Sequence, residues 1–206
     1  MKITDIYTKY EIPPNLADHQ LTVSAVASTI CKLTGKGDAT KVITACLLHA
    51  MGHIIKFRFE KKIRGAEMEN VEHWKVVQQK LIDTYGSDEH VATMAIVAEI
   101  GVESEIIDVL DAAGFRQSLD TLQSGDESKM IAAYSDMRVA PHGVVSLQER
   151  LDDLTARYDK TDDREQYNEA FKKIEAEIFA GTDVHPKQVS PERVEAEKAE
   201  LRSFAI

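Results

Sequence analysis

Leu47-Leu48-His49-Ala50-Met51-Gly52-His53 is an apolar run that closes on a histidine, a small residue and a glycine. Val42, Ile43, Cys46 and Leu47 carry helical spacing into it from a cap at Asp38, so the run predicts an inward-facing helix that continues to Gly52 and presents His49. Upstream, Pro13-Pro14 punctuates the chain. Asn15 is the expected cap of a helix from about Leu16 to Leu33 that carries His19 in its first turns, and Gly35 and Gly37 end it. Downstream comes an irregular basic connector, followed by helical spacing from about Glu67 to Tyr85 and from Asp88 to about Glu99. Shorter helices are expected around Ser104 to Ala113 and Phe115 to Gln123, then one from Ser128 to Met137 with Asp136 near its end. Pro141-His142-Gly143 reads as a turn. Ser146 with Glu149 forms a capping box ahead of the stripe Leu147, Leu151, Leu154 and Tyr158. Two charged amphipathic segments, Asp163 to Phe179 and Pro191 to Phe204, complete the chain. Strand-like alternation is rare, and the expected fold is all-α, a single-domain helical bundle.

Two hundred and six residues, 43% hydrophobic and 29% charged, suffice for one good-sized core and are short for two. A net charge of -10 argues against an extended nucleic-acid partner, because neutralising a phosphate backbone needs clustered Lys and Arg. The local exception is Lys56, Arg58, Lys61, Lys62 and Arg64, which could receive a small phosphorylated substrate or form a solvated face. Cys31 and Cys46 lie inside apolar helical patterns without paired spacing, which reads as buried thiols in a reducing compartment. No window approaches the ~20 apolar residues of a membrane span, and the expected location is cytoplasmic.

Ligands for one metal ion must converge from separate elements, because neighbours on a single helix diverge by about 100°. His19, His49 and Asp136 fall on three separate predicted helices. They stand within Pro14-Asn15-Leu16-Ala17-Asp18-His19, Ala45 to Gly52, and Tyr134-Ser135-Asp136-Met137-Arg138 followed by Gly143-Val144-Val145-Ser146-Leu147. In this order the three stretches resemble the landmarks of the HD-domain phosphohydrolases, across most of residues 14 to 158. The resemblance implies an HD-type helical domain over 1–158, with 159–206 as charged C-terminal helices packing on it or extending from it. It also implies a divalent metal ion (Mn, Co, Ni, Mg, Fe or Zn) held by His19, His49 and Asp136. That family is named for a His-Asp pair, and the second member here is Ala50, which has no lone pair to offer. Either the ligand is natively lost and the protein binds without catalysis, or an Asp was exchanged for Ala to disable turnover. The intact surroundings favour the second.

The activity implied is metal-dependent phosphohydrolysis or phosphodiester hydrolysis of a nucleotide or other small phosphorylated metabolite, weakened by Ala50. Lys56 and Arg138 are the candidate cations for the non-bridging oxygens, with a plain salt bridge the alternative for Arg138. His142 could reach a substrate or merely pack its turn. His53, His73 and His90 could serve a second metal or support the first, although His73 and His90 sit in no recognisable motif. They leave open a di-iron oxygenase of the same superfamily. A non-catalytic ligand- or partner-binding protein is the remaining alternative, and a homodimer is also left open. No GxGxxG, P-loop, GxSxG or HExxH occurs.

Overall fold

A short helix, α1 (Ile3–Lys9), leads to Pro13-Pro14 and into α2 (Pro14–Thr34). In the computed structural model, which describes residues 1–60, 69–157 and 164–206, Pro14 occupies the first helical position, where a missing N–H costs nothing. The expected start near Leu16 with Asn15 as cap is corrected accordingly: Asn15 lies inside the first turn, its side chain accepting the Leu16 N–H at 3.0 Å. α2 is buried on nearly every side. Its polar side chains tolerate this because Thr22, Ser24 and Thr29 each donate a hydroxyl to the carbonyl four residues back, at 2.8 Å. Gly35, at φ 70°, ends the helix in the left-handed region and donates to the Cys31 carbonyl.

α3 (Ala39–Leu48) starts where Asp38 accepts from the Thr40 and Lys41 N–H groups at 3.1 and 3.2 Å. It stops at Leu48, four residues short of the expected end. The reason is a change of partners. The Cys46 carbonyl, which would accept from the Ala50 N–H in a continuing helix, takes Nδ1 of His49 at 2.7 Å, and the Ala50 N–H goes to Gln20 Oε1 at 3.1 Å. The Gly52 N–H likewise turns to Thr93 Oγ1 at 2.9 Å. A 3-10 helix, His53–Lys56, follows.

Next come α4 (Val71–Tyr85), α5 (Glu89–Ile100), α6 (Ser104–Asp111), a 3-10 turn at Phe115–Gln117, α7 (Ser118–Ser124) and α8 (Glu127–Met137). Gly52 is required by space. A Cβ there would stand 2.4 Å from the Glu89 carbonyl and 2.9 Å from the Thr93 nitrogen, so the turn after α3 lies directly on the start of α5. After α8, β1 (Val139–Ala140) and β2 (Gly143–Val144) pair antiparallel around the expected turn. α9 (Leu147–Arg157), α10 (Arg164–Phe179), a 3-10 turn at Pro186–Gln188 and α11 (Pro191–Leu201) finish the chain.

The architecture is all-α, a bundle with one two-residue hairpin among the described residues. α2 runs through its middle, against α3, α8 and α11, while α3 also meets α6 and α8, and α10 lies on α7 and α8. The terminal strand-like residues Lys2 and Ala205 form an antiparallel bridge. Among the described residues no helix is long and apolar enough to cross a membrane. Lys61, Lys62 and Arg64 of the basic island, the expected helix start at Glu67, and Tyr158 with the boundary at 158/159 lie outside the described residues.

Candidate metal centre

Three packed helices bring His19, His49 and Asp136 to one point. His19 lies in the second turn of α2, His49 caps the C-terminus of α3, and Asp136 is the penultimate residue of α8. His19 Nε2 stands 3.1 Å and His49 Nε2 3.5 Å from the same oxygen, Oδ1 of Asp136. One ligand atom from each residue falls within 4.8 Å of the others. Donors sharing an ion through bonds of about 2.0–2.2 Å stand roughly 3–3.5 Å apart, so little movement separates this arrangement from a coordinated one.

The hydrogen bonding of His49 sharpens the chemistry. A carbonyl can only accept, so the contact with Cys46 places the proton on Nδ1 and leaves Nε2 of the neutral ring as a lone pair. That Nε2 is buried without a hydrogen-bond partner among the described residues, and it faces a carboxylate oxygen that also carries lone pairs. A cation or a second ring proton resolves such a confrontation. The backbone contact is the usual outer support of a metal-binding imidazole.

Burial pushes the Asp136 carboxyl upward, but the His19 and His49 imidazoles facing it, His19 at hydrogen-bond distance, outweigh burial and hold the group well below the ordinary carboxylate range. It is an anion at neutral pH. His53 is brought in by the turn, its ring centroid 6.1 Å from that of His49. Burial first, then the charge of Lys56, keeps His53 well below the usual histidine value, and its Nδ1 is buried without a partner among the described residues. The ring is therefore neutral at pH 7.

Position 50 is fully buried. Beside it, the Gln20 amide is oriented by the Ala50 N–H, which can only donate and so must face Oε1. Gln20 Nε2 is left buried without a hydrogen-bond partner among the described residues.

His49 and Asp136 line a pocket of about 580 Å³, in the size range of small-molecule sites. Lys56 also lines it and pairs with Glu89 at 3.0 Å. So does His90, which pairs with Asp111 at 3.0 Å rather than joining the metal cluster. His73 is exposed on α4 with its ring against Trp74, and His142 is exposed in the hairpin turn; neither is brought to the centre.

The expectation for Arg138 is corrected. Its guanidinium is buried, donating to the carbonyls of Val145, Pro186 and Val189 and to the Tyr134 hydroxyl, which commits it to joining α8 to the C-terminal segment. Three other arginines line the pocket instead, Arg116, Arg150 and Arg164, and sequence reasoning missed them. One signal was available: Arg150 is three residues after Leu147 and four before Leu154, inside the apolar stripe of α9.

No family model matches the chain, and no significant match to it exists among the curated proteins or solved structures compared.

Proposed function

We propose that the chain is a metal-dependent phosphohydrolase or phosphodiesterase for a nucleotide or other small phosphorylated metabolite, in a form weakened by alanine at position 50. The observation that carries this reading is the unpartnered His49 Nε2, with His19 Nε2, around one oxygen of an ionised Asp136 at the wall of a pocket. His19, His49 and Asp136 would hold a divalent ion. Bound there, such an ion supplies Lewis acidity toward a phosphoryl oxygen and lowers the pKa of water from about 15.7 towards about 7.

The remaining work belongs to the chain. Lys56, held over the pocket by Glu89, offers an ammonium to the non-bridging oxygens. His53, buried and neutral, stands at the pocket wall beside His49. A carboxylate at position 50 would add a fourth donor and place an acceptor near the orphaned Gln20 amide. A second reading, a protein that binds the same ligand without turnover, draws on Ala50, whose methyl group donates to nothing.

The experiment is to compare the chain with its Ala50→Asp variant, each loaded in turn with Mn, Co, Ni, Mg, Fe or Zn. Phosphate or nucleoside release is followed from nucleoside mono-, di- and triphosphates and cyclic nucleotides. Metal-dependent release by the Ala50→Asp variant is expected. Silence across the panel from both proteins, with metal bound, defeats the hydrolase and leaves the binding protein.

A further inference from the structure

The pocket that begins at His49 and Asp136 is lined elsewhere by guanidinium groups. Arg164 Nη1 donates to the Leu154 carbonyl at 3.3 Å, and its guanidinium carbon stands 5.9 Å from the centre of the Phe115 ring. Leu154 is one turn along α9 from Arg150, and Arg116 follows Phe115 directly. Three elements, α9, α10 and the 3-10 turn at Phe115–Gln117, thus gather three arginines around Leu154 and Phe115.

Among the described residues, the carboxylates lining the pocket have their own partners: Glu89 is with Lys56, Asp111 with His90, and Asp136 with His19 and His49. Among the described residues, the acid that meets Arg150 is Asp153, at 3.1 Å, and it is shared with Arg157, so one carboxylate serves two guanidinium groups. The Arg150 side chain is only 14% exposed, and its Nε is buried with no hydrogen-bond partner among the described residues. A buried cation that is incompletely compensated is costly unless a counter-charge arrives. Arg150 thus stands on the pocket wall as a cation to which an anionic ligand would bring charge, and Arg116 and Arg164 line the same wall.

We propose that Arg150 and Arg164, with Arg116 beside them, form a second anion subsite, so that the pocket takes a ligand bearing two separated anionic groups. One group meets the metal corner and the other the arginines. Planar forks of N–H donors match phosphate or carboxylate oxygens two at a time, which selects a bis-phosphorylated metabolite over its monophosphate. The inference rests on reading His19, His49 and Asp136 as the metal corner.

The test is calorimetric titration of the full chain with adenosine 5′-monophosphate and adenosine 3′,5′-bisphosphate, with Mn²⁺ and with EDTA, and of Mn²⁺ alone. With Mn²⁺ the bisphosphate should bind at least about tenfold more tightly, and Arg150→Gln or Arg164→Gln should each remove about that factor while Mn²⁺ uptake is unchanged. Should either variant lose its helical circular dichroism, the exposed Arg116→Glu reads the same subsite and should show the same loss. Equal affinity for the two nucleotides, or a bisphosphate preference that survives these substitutions with Mn²⁺ bound, overturns the subsite. If the chain takes up no Mn²⁺, the metal reading fails. A bisphosphate preference that then persists in EDTA and is lost in the arginine variants still upholds the subsite.

Discussion

The two ends of the pocket are built by opposite means. The histidine corner sits on the most deeply buried helices, α2, α3 and α8, with each side chain oriented by neighbours: His49 by the Cys46 carbonyl, and Asp136 by two imidazoles. The arginine end stands on α9, α10 and a single 3-10 turn, where long side chains reach inward from elements that bury far less. Rigid placement suits a metal, which tolerates errors of a few tenths of an ångström, and flexible cations suit an anion that can be met from several directions. Damage at the first end should therefore appear in structure and metal affinity together, and damage at the second in ligand affinity alone.

The largest effect expected is at Asp136. Asp136→Asn removes the charge that both imidazoles share, and Mn²⁺ affinity measured by calorimetry should fall by more than about a hundredfold, beyond what loss of an outer partner does. Unchanged Mn²⁺ binding would break the comparison by showing that the corner is an ordinary ion-pair cluster. Next is Gly52→Ala. The new methyl would meet the Glu89 carbonyl at 2.4 Å, and backbone cannot move aside cheaply, so urea unfolding should show a loss of about 3 kcal/mol. A loss under about 0.5 kcal/mol would mean that the turn slides freely on α5.

Ala50→Asp is expected to act in two directions. Without metal it buries a second carboxylate close to the ionised Asp136, and the thermal midpoint in EDTA should drop by an amount worth about 1–2 kcal/mol. Excess Mn²⁺ should restore the midpoint or raise it above that of the Ala50 form, because a ligand that binds only the folded state stabilises it. A midpoint that ignores metal would separate position 50 from the centre. The smallest change should be Arg116→Gln, an exposed side chain whose removal should leave stability within about 0.5 kcal/mol while weakening the bisphosphate. A larger loss of stability would erase the contrast between the two ends.

Much of the corner could be read from local pattern. His19, His49 and Asp136 each lie in or at the end of helices with clear apolar spacing, and Asp38 and Asp88 cap where short polar residues precede such runs. What escaped reading depends on partners distant in the chain. α3 ends early because Gln20 and Thr93 capture N–H groups that local pattern assigns to the helix, from 30 and 41 residues away. Arg138 follows Asp136 by two positions, yet its carbonyl acceptors lie 7, 48 and 51 residues onward, which turns it away from the pocket. The arginine end has no spacing signature at all, since Arg116, Arg150 and Arg164 meet only after α9 and α10 have packed. Helical periodicity reports which face is buried, and it is silent on which buried faces meet one another.

The Arg138 network carries a consequence for the tail. Carbonyls at Pro186 and Val189 accept from a buried cation that sits two residues from Asp136. Trimming the protein before residue 186 would abandon that charge and pull the end of α8 towards solvent in search of new acceptors. The last twenty-one residues hold none of the three clustered side chains, yet shortening them would be felt as a lesion of the histidine corner.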